Sequence, residues 1–377
     1  MELNKTDYKR LGDYIREVDV RNRDLKVTKL LGVSVSKEFM SSIANTIGTD
    51  MSTYKIVKYK QFVYIADTSR RGDKIAIALL TNNENAIVSQ AYTVFEVIDD
   101  NRLLPEYLMM WFRRPEFDRY ARFHSHGSAR EIFDWDEMCD VILPIPPIER
   151  QREIVSEYET LSRRIELNNK IISRLEETAQ TLYRKMFVDG IDKENLPDGW
   201  RMGTLGEISQ YINEKIYLKE IDESLYISTE NMLKDKKGIT VSTNKPNNGK
   251  GIKFQINDIL ISNIRPYFKK IWKATFNGAA SNDVLCIRSK NTFSPSILYY
   301  VLENDTFFEY VIAGSNGVKM PRGDKNWIMK YPLLIPSQQF TEIFNQKIII
   351  IHKFIIKCKQ ENHILTELKF LITKKIK

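Results

Sequence analysis

The sequence predicts an α+β fold built twice over, each copy running into a long helix. Three observations carry this expectation. The stretch LPIPPIERQREIV at 143–155 has a counterpart in LLIPSQQFTEIF at 333–344: an apolar, strand-like run halts at proline and a long helical pattern opens. A wider match at a constant offset of 190 residues surrounds that junction. Each junction helix carries an apolar seam that steps alternately by four and three residues, the spacing of paired helices.

The internal match sets the domain plan. LLPEYLMMWFRRPEFDRYARF at 103–123 aligns with FSPSILYYVLENDTFFEYVIA at 293–313. Pro105 falls on Pro295, Phe117 on Phe307, Tyr120 on Tyr310, Gly127 on Gly317 and Pro146 on Pro336. Upstream, LGDYI at 11–15 resembles LGEIS at 205–209, and Ser89 sits near the place of Ser281. A duplication of this kind governs every later assignment. The segment VDGIDKENLPDGW at 188–200 is rich in turn-forming residues and reads as a linker. The expected plan is therefore a block at 1–147, a helix at 148–187, the linker at 188–200, a second block at 201–336 and a second helix at 337–377.

Within the blocks, short runs of β-branched and aromatic residues mark strands. They are FVYIADT at 62–68, AIVSQAYTVFEVI at 86–98, DILIS at 258–262 and DVLCIRS at 283–289. LLPEYLMMWFRRPEF and PSILYYVLEN read as helices with proline near the first turn.

The first seam runs Ile154, Tyr158, Leu161, Ile165, Asn168, Ile172, Leu175, Ala179, Leu182, Met186. The second runs Phe344, Ile348, Ile351, Ile355, Cys358, Asn362, Leu365, Lys369, Ile372, Ile376. If the helices pair antiparallel with Ile154 facing Ile376, all facing residue numbers sum to 530 and Asn168 meets Asn362. A polar pair inside an apolar seam penalises shifted registers. About 40 helical residues at 1.5 Å each would make a spacer of roughly 60 Å, and antiparallel pairing would give the repeat a pseudo-two-fold relation. The alternative is two helices that each pack on their own block.

With 377 residues, 42% of them hydrophobic, the chain can bury real cores. No run of eighteen apolar residues and no signal-like start are present, so neither a membrane span nor export is expected. Cys139, Cys286 and Cys358 are odd in number and far apart, which suits a reducing cytoplasm and not a zinc site. The net charge of +8 and pI near 9.1 point toward a polyanion, with nucleic acid the first candidate.

IPPIERQREIV with its helix through LYRKMFVDG, followed by NLPDGW, resembles the specificity subunit of type I restriction–modification enzymes. GDYIREVDVRN, LGVSVSKEF, YISTENM and NDILISNIRPYFKKIW look like target-recognition segments of that family, and the resemblance covers essentially the whole chain. It implies two target-recognition domains separated by two conserved helices that form an antiparallel coiled coil. Each domain would read one half of a split, asymmetric double-stranded DNA target. The helices would set the gap and dock two methyltransferase subunits, with restriction–translocase subunits joining the full complex. S-adenosylmethionine, ATP and magnesium would belong to those partners and not to this chain.

Base readout needs donors and acceptors at base edges, together with cations on phosphates. HSHGSAREIF at 124–133 supplies Ser128 and Arg130, and the equivalent GSNGVKMPRGDK at 314–325 supplies Ser315, Asn316, Lys319 and Arg322. NIRPYFKK at 263–270 interleaves Arg265, Tyr267, Lys269 and Lys270. TSRRGDK offers Arg70 and Arg71, and STEN offers Thr229 and Asn231. An ordinary solvated surface is the competing reading for each. His124 and His126 lack a third ligand in sequence, so no metal is expected.

Catalytic patterns are missing. There is no GxxxxGK[ST]; NNGKGI at 247–252 lacks the first glycine and the hydroxyl. The Pro-Pro at 146–147 follows isoleucine, unlike the Asp/Asn-Pro-Pro-aromatic motif of amino-methyltransferases, and no GxSxG occurs. A non-catalytic binding subunit is the expectation. A standalone nuclease or methyltransferase, and a coiled-coil assembly protein that never meets DNA, are the alternatives.

Overall fold

A computed structural model describes residues 8–42, 48–68, 72, 74–82, 84–127, 130–290, 293–317 and 319–376. The chain divides into two units, 1–169 with 359–377 and 170–358. Both divisions fall inside the long helices, so each unit owns one end of each helix.

In the first unit, strands Ile15–Val18, Thr93–Val97, Gln61–Tyr64 and Ile77–Leu79 lie side by side in that order, all antiparallel. The second unit repeats the arrangement with Ser209–Tyr211, Val284–Ser289, Ile259–Ser262 and Ile271–Lys273. The order is the same strand for strand, which is the structural counterpart of the sequence repeat.

Strand alternation explains why these runs are apolar throughout. Phe62 and Tyr64 enter one core with Phe95, Phe112 and Phe117, while Val63 and Ile65 enter a second core with Val57, Ala76 and Val88. Ile259 and Ile261 likewise face the helices of the second unit, and Leu260 joins Phe254, Val284 and Cys286 on the other side. A strand covered on both faces loses the usual apolar–polar alternation. Phe62 stacks on Phe95 at 4.8 Å, and Phe112 meets Phe117 at 4.7 Å. Truncating a buried phenylalanine of this kind costs about 3–5 kcal/mol.

Two expected elements are shorter than their sequence patterns. The helix read across 103–117 is two helices, Pro105–Phe112 and Pro115–Phe123, because Pro115 cannot continue a helix and instead opens one. The strand read across 86–98 is Ala86–Val88 and Thr93–Val97, joined by a turn in which Tyr92 N donates to Ser89 O at 3.0 Å.

A two-stranded pair closes each unit before its helix. Tyr8–Arg10 pairs with Ile142–Pro144, and Arg201–Thr204 with Pro332–Ile335. The helices Ile148–Phe187 and Gln338–Lys374 follow directly. Every seam position in both helices is buried or half-buried. In the first unit Ile154, Val155 and Tyr158 pack with Ile372 and Ile376; in the second, Ala179, Leu182 and Met186 pack with Phe344, Ile348 and Ile351. Among the described residues, no helix is long and apolar enough to cross a membrane.

Candidate nucleic-acid interface

Each unit raises a small hairpin at the same place, between its second short helix and its junction strand. In the first unit, His126 and Ile132 exchange both backbone hydrogen bonds, at 3.0 and 2.9 Å. In the second, Ser315–Asn316 pairs with Arg322–Gly323, Asn316 standing opposite Arg322. The offset is again 190 residues. Gly127 and Gly317 take φ of +132° and +98°, a region open to glycine, and a Cβ on Gly127 would lie 2.1 Å from Arg130 O. The aspartates that follow, Asp134 and Asp324, cap the next short helix by accepting from Glu137 N and from Asn326 N and Trp327 N.

The connection between the last two strands of chain order before the sheet's central partner lies against each hairpin. In the first unit Thr68 N donates to Glu131 O at 3.0 Å, and Phe133 N to Ala66 O at 2.9 Å. Thr68 Oγ1, almost fully buried, donates to Ser125 Oγ at 2.9 Å. In the second unit Arg265 N donates to Pro321 O at 2.8 Å, and Ile264 bridges to Arg322. The two sequence segments singled out in each block are thus neighbours in space, which spacing in the sequence does not reveal.

The bases of the hairpins differ in chemistry. In the first unit His124 Nδ1 lies 3.0 Å from Glu137 Oε2, and His126 Nε2 lies 3.2 Å from Glu137 Oε1. Tyr120 stacks on His124 at 4.2 Å. In the second unit Tyr310 stacks on Trp327 at 4.8 Å, and Trp327 Nε1 donates to Tyr310 O at 3.0 Å. Gly314 makes room for that ring, since a Cβ there would meet Trp327 Cδ1 at 2.1 Å. The His124–Glu137–His126 cluster was not legible beforehand, because Glu137 comes from a separate helix. No group of three or more His, Cys, Asp or Glu among the described residues has the geometry to hold a metal.

Among the expected contact residues, Arg130, Asn316, Lys319 and Arg322 are exposed on or beside the hairpins. Arg322 also pairs with Asp283 at 3.0 Å. Tyr267 is 46% exposed, with its ring edge on Phe268 at 4.7 Å. Thr229 is half-buried, and its carbonyl accepts from Lys270 Nζ at 2.5 Å. Arg70, Arg71 and Ser128 lie outside the described residues.

Three expected readers have their polar atoms engaged within the protein. Asn231 is the correction: it is buried, its Oδ1 accepts from Ser228 N at 2.6 Å, and its Nδ2 donates to Thr240 O at 3.0 Å and Tyr226 O at 3.3 Å. An amide so satisfied holds a turn and cannot also face a base edge. Ser315 Oγ donates to Ile312 O at 2.7 Å. Lys269 Nζ donates to Asp305 Oδ1 at 2.8 Å, and this contact raises the lysine above its ordinary range.

Comparison with known proteins gives a consistent picture. Residues 6–177 match the family described as the type I restriction modification DNA specificity domain. A 108-residue stretch is 32% identical to the type I restriction enzyme HindI specificity subunit of Haemophilus influenzae, covering 28% of this chain and 23% of that relative. The chain thus spans under a quarter of the length of the curated relative it matches. Over its whole length, the fold resembles the crystal structure of a type I restriction–modification S subunit from M. genitalium. That likeness has a TM-score of 0.57 at 13% identity and covers 98% of the other chain.

Proposed function

We propose that this chain, whose residues 6–177 match the family described as the type I restriction modification DNA specificity domain, is the sequence-reading subunit of such a system. Each unit reads one half of a split, asymmetric duplex target, and the chain docks methyltransferase subunits that carry out the chemistry. The observation that carries this reading is the repeated hairpin. Two units with the same strand order present Arg130 and Arg322 from equivalent hairpins, each braced through the backbone by a neighbouring loop. Arginine is the side chain best suited to bidentate recognition of guanine and to phosphate contact.

The outer face of the helix Gln338–Lys374 supports docking. Ile343, Ile350 and Phe354 are 39%, 59% and 57% exposed in the second unit, and Ile364, Leu368 and Leu371 are 57%, 43% and 51% exposed in the first. Apolar side chains left in water along one helix mark an interaction face. S-adenosylmethionine, ATP and magnesium belong to the partner subunits in this reading, which operate with this chain in the cytoplasm.

Reconstitution tests it. The chain alone, given duplex DNA, magnesium and S-adenosylmethionine, should bind DNA in a salt-sensitive way without modifying or cutting it; addition of the methyltransferase should produce sequence-specific methylation. Turnover by the isolated chain would instead identify a standalone enzyme. Loss of all duplex binding would leave a coiled-coil assembly protein.

A further inference from the structure

The second unit contains a pair of basic turns, one of which the preceding reading does not use. Residues 234–237 and 265–270 together hold six cations and one carboxylate, Asp235. The turns are locked to each other through the backbone: Asp235 N donates to Phe268 O and Lys236 N to Lys269 O, both at 2.9 Å. Four residues in them adopt left-handed backbone angles without being glycine. They are Asp235, Lys236, Arg265 and Lys269, with φ between +48° and +61°. Such conformations are unfavourable and persist only where surrounding structure imposes them.

The side chains are sorted in two directions. Lys236 and Lys269 turn to Asp305, at 3.0 and 2.8 Å, and tie the turns to the helix Asp305–Ala313. Lys234 and Lys270 converge on the Phe268 ring, at 4.1 and 5.9 Å from its centroid. Lys234 and Lys237 are exposed, and among the described residues no carboxylate pairs with either. Burial, and then the like charge of Lys234, hold Lys270 below its ordinary range. Arg265 Nε is buried without a hydrogen-bond partner. The fold therefore crowds cations together at the expense of backbone strain, next to Pro321 and Arg322 of the hairpin.

We propose that the paired turns 234–238 and 265–270 grip the phosphodiester backbone of duplex DNA, with the exposed Lys234 and Lys237 on phosphate oxygens and Lys270, held on Thr229 O, adding positive charge behind them, beside the bases that the hairpin of Ser315–Asn316 and Arg322–Gly323 reads. An anion relieves the mutual repulsion of these lysines, and a row of point charges suits phosphate and carries no base information. The site adds affinity without adding sequence preference. It rests on the DNA-binding reading given above.

The test uses the full chain and a labelled random-sequence duplex, with affinity measured against salt concentration. Wild type should show a steep fall in log K with log salt. Lys234→Gln with Lys237→Gln should reduce that slope by about 1.8, since each phosphate contact contributes about 0.9. Lys234→Arg with Lys237→Arg should restore the slope. Because both side chains are exposed, the thermal midpoint should not move. A steep wild-type slope that the glutamine variant leaves unchanged would refute this site alone, and an acidic protein surface would become the better partner. A wild-type chain that does not bind duplex DNA would remove the functional reading and the site together.

Discussion

Asn168 donates from Nδ2 to Asn362 Oδ1 at 3.0 Å, inside the first unit and in the middle of a predominantly apolar helix seam. Asn168 is 1% exposed, and the same Nδ2 also lies 3.0 Å from Glu361 Oε2. Arg164 grips Glu361 at 2.8 and 3.2 Å, and Asn362 Nδ2 donates to Asn169 Oδ1 at 2.8 Å. A polar knot of this kind fixes which residues face each other, because a shifted helix would take the Asn168 and Asn362 Nδ2 groups away from their acceptors.

Cysteines placed at these two positions should therefore crosslink. In a background lacking Cys139, Cys286 and Cys358, Asn168→Cys with Asn362→Cys should form an intramolecular disulfide, read as a mobility shift on non-reducing gels. Asn168→Cys with Leu365→Cys, one layer away, should form far less. Equal crosslinking of both pairs would contradict a fixed register. Asn168→Leu alone should lower stability by about 1–3 kcal/mol, because the groups left behind lose their partner.

Lys273 predicts a stability change with pH. It lies on a sheet strand with Nζ donating to Ser296 Oγ at 3.0 Å, and burial lowers it from 10.5 to about 8. Below pH 8 the ammonium is charged in both folded and unfolded chains, and the folded chain bears the desolvation cost. Between pH 8 and 10.5 the unfolded chain holds more protons, so stability from this group rises with pH. Lys273→Met should stabilise the fold at pH 7 by about 1–2 kcal/mol, a figure reduced because part of the side chain still meets water. It should also remove that alkaline rise. Urea unfolding followed by tryptophan fluorescence at pH 7 and pH 10 measures both effects.

Gly314 and Trp327 make a steric prediction. A methyl group at 314 would strike the indole, so Gly314→Ala should cost about 1–3 kcal/mol by forcing the ring off Tyr310. His124, at the equivalent place in the first unit, is partly exposed and faces Glu137. His124→Ala should therefore cost less than about 1 kcal/mol. Chemical denaturation of the two variants gives the comparison, and equal losses would contradict the different packing of the two hairpin bases.

Local patterns made much of this architecture legible. The helix seams, the junction prolines and the 190-residue repeat all depend on spacing along the chain, and they mark where the strands and long helices lie. Contacts between distant segments were not legible. A single sequence does not reveal that Asn231 turns inward to Thr240 O, or that Asp305 neutralises Lys236 and Lys269. Nor does it show that 234–237 docks on 265–270, because that contact is made by backbone atoms that any residue carries. The sequence gathers polar residues into loops but does not sort them into those facing solvent and those holding a turn. That sorting depends on tertiary partners.

The central claim, that each unit reads one half of a split target, is tested most directly by methylome sequencing of cells carrying this chain and its methyltransferase. Residues 1–147 would be exchanged for the matching segment of a related subunit of different specificity. The account predicts a split methylated motif in which one half changes and the other, together with the gap, is kept. A contiguous motif, or an exchange that alters both halves, would contradict it.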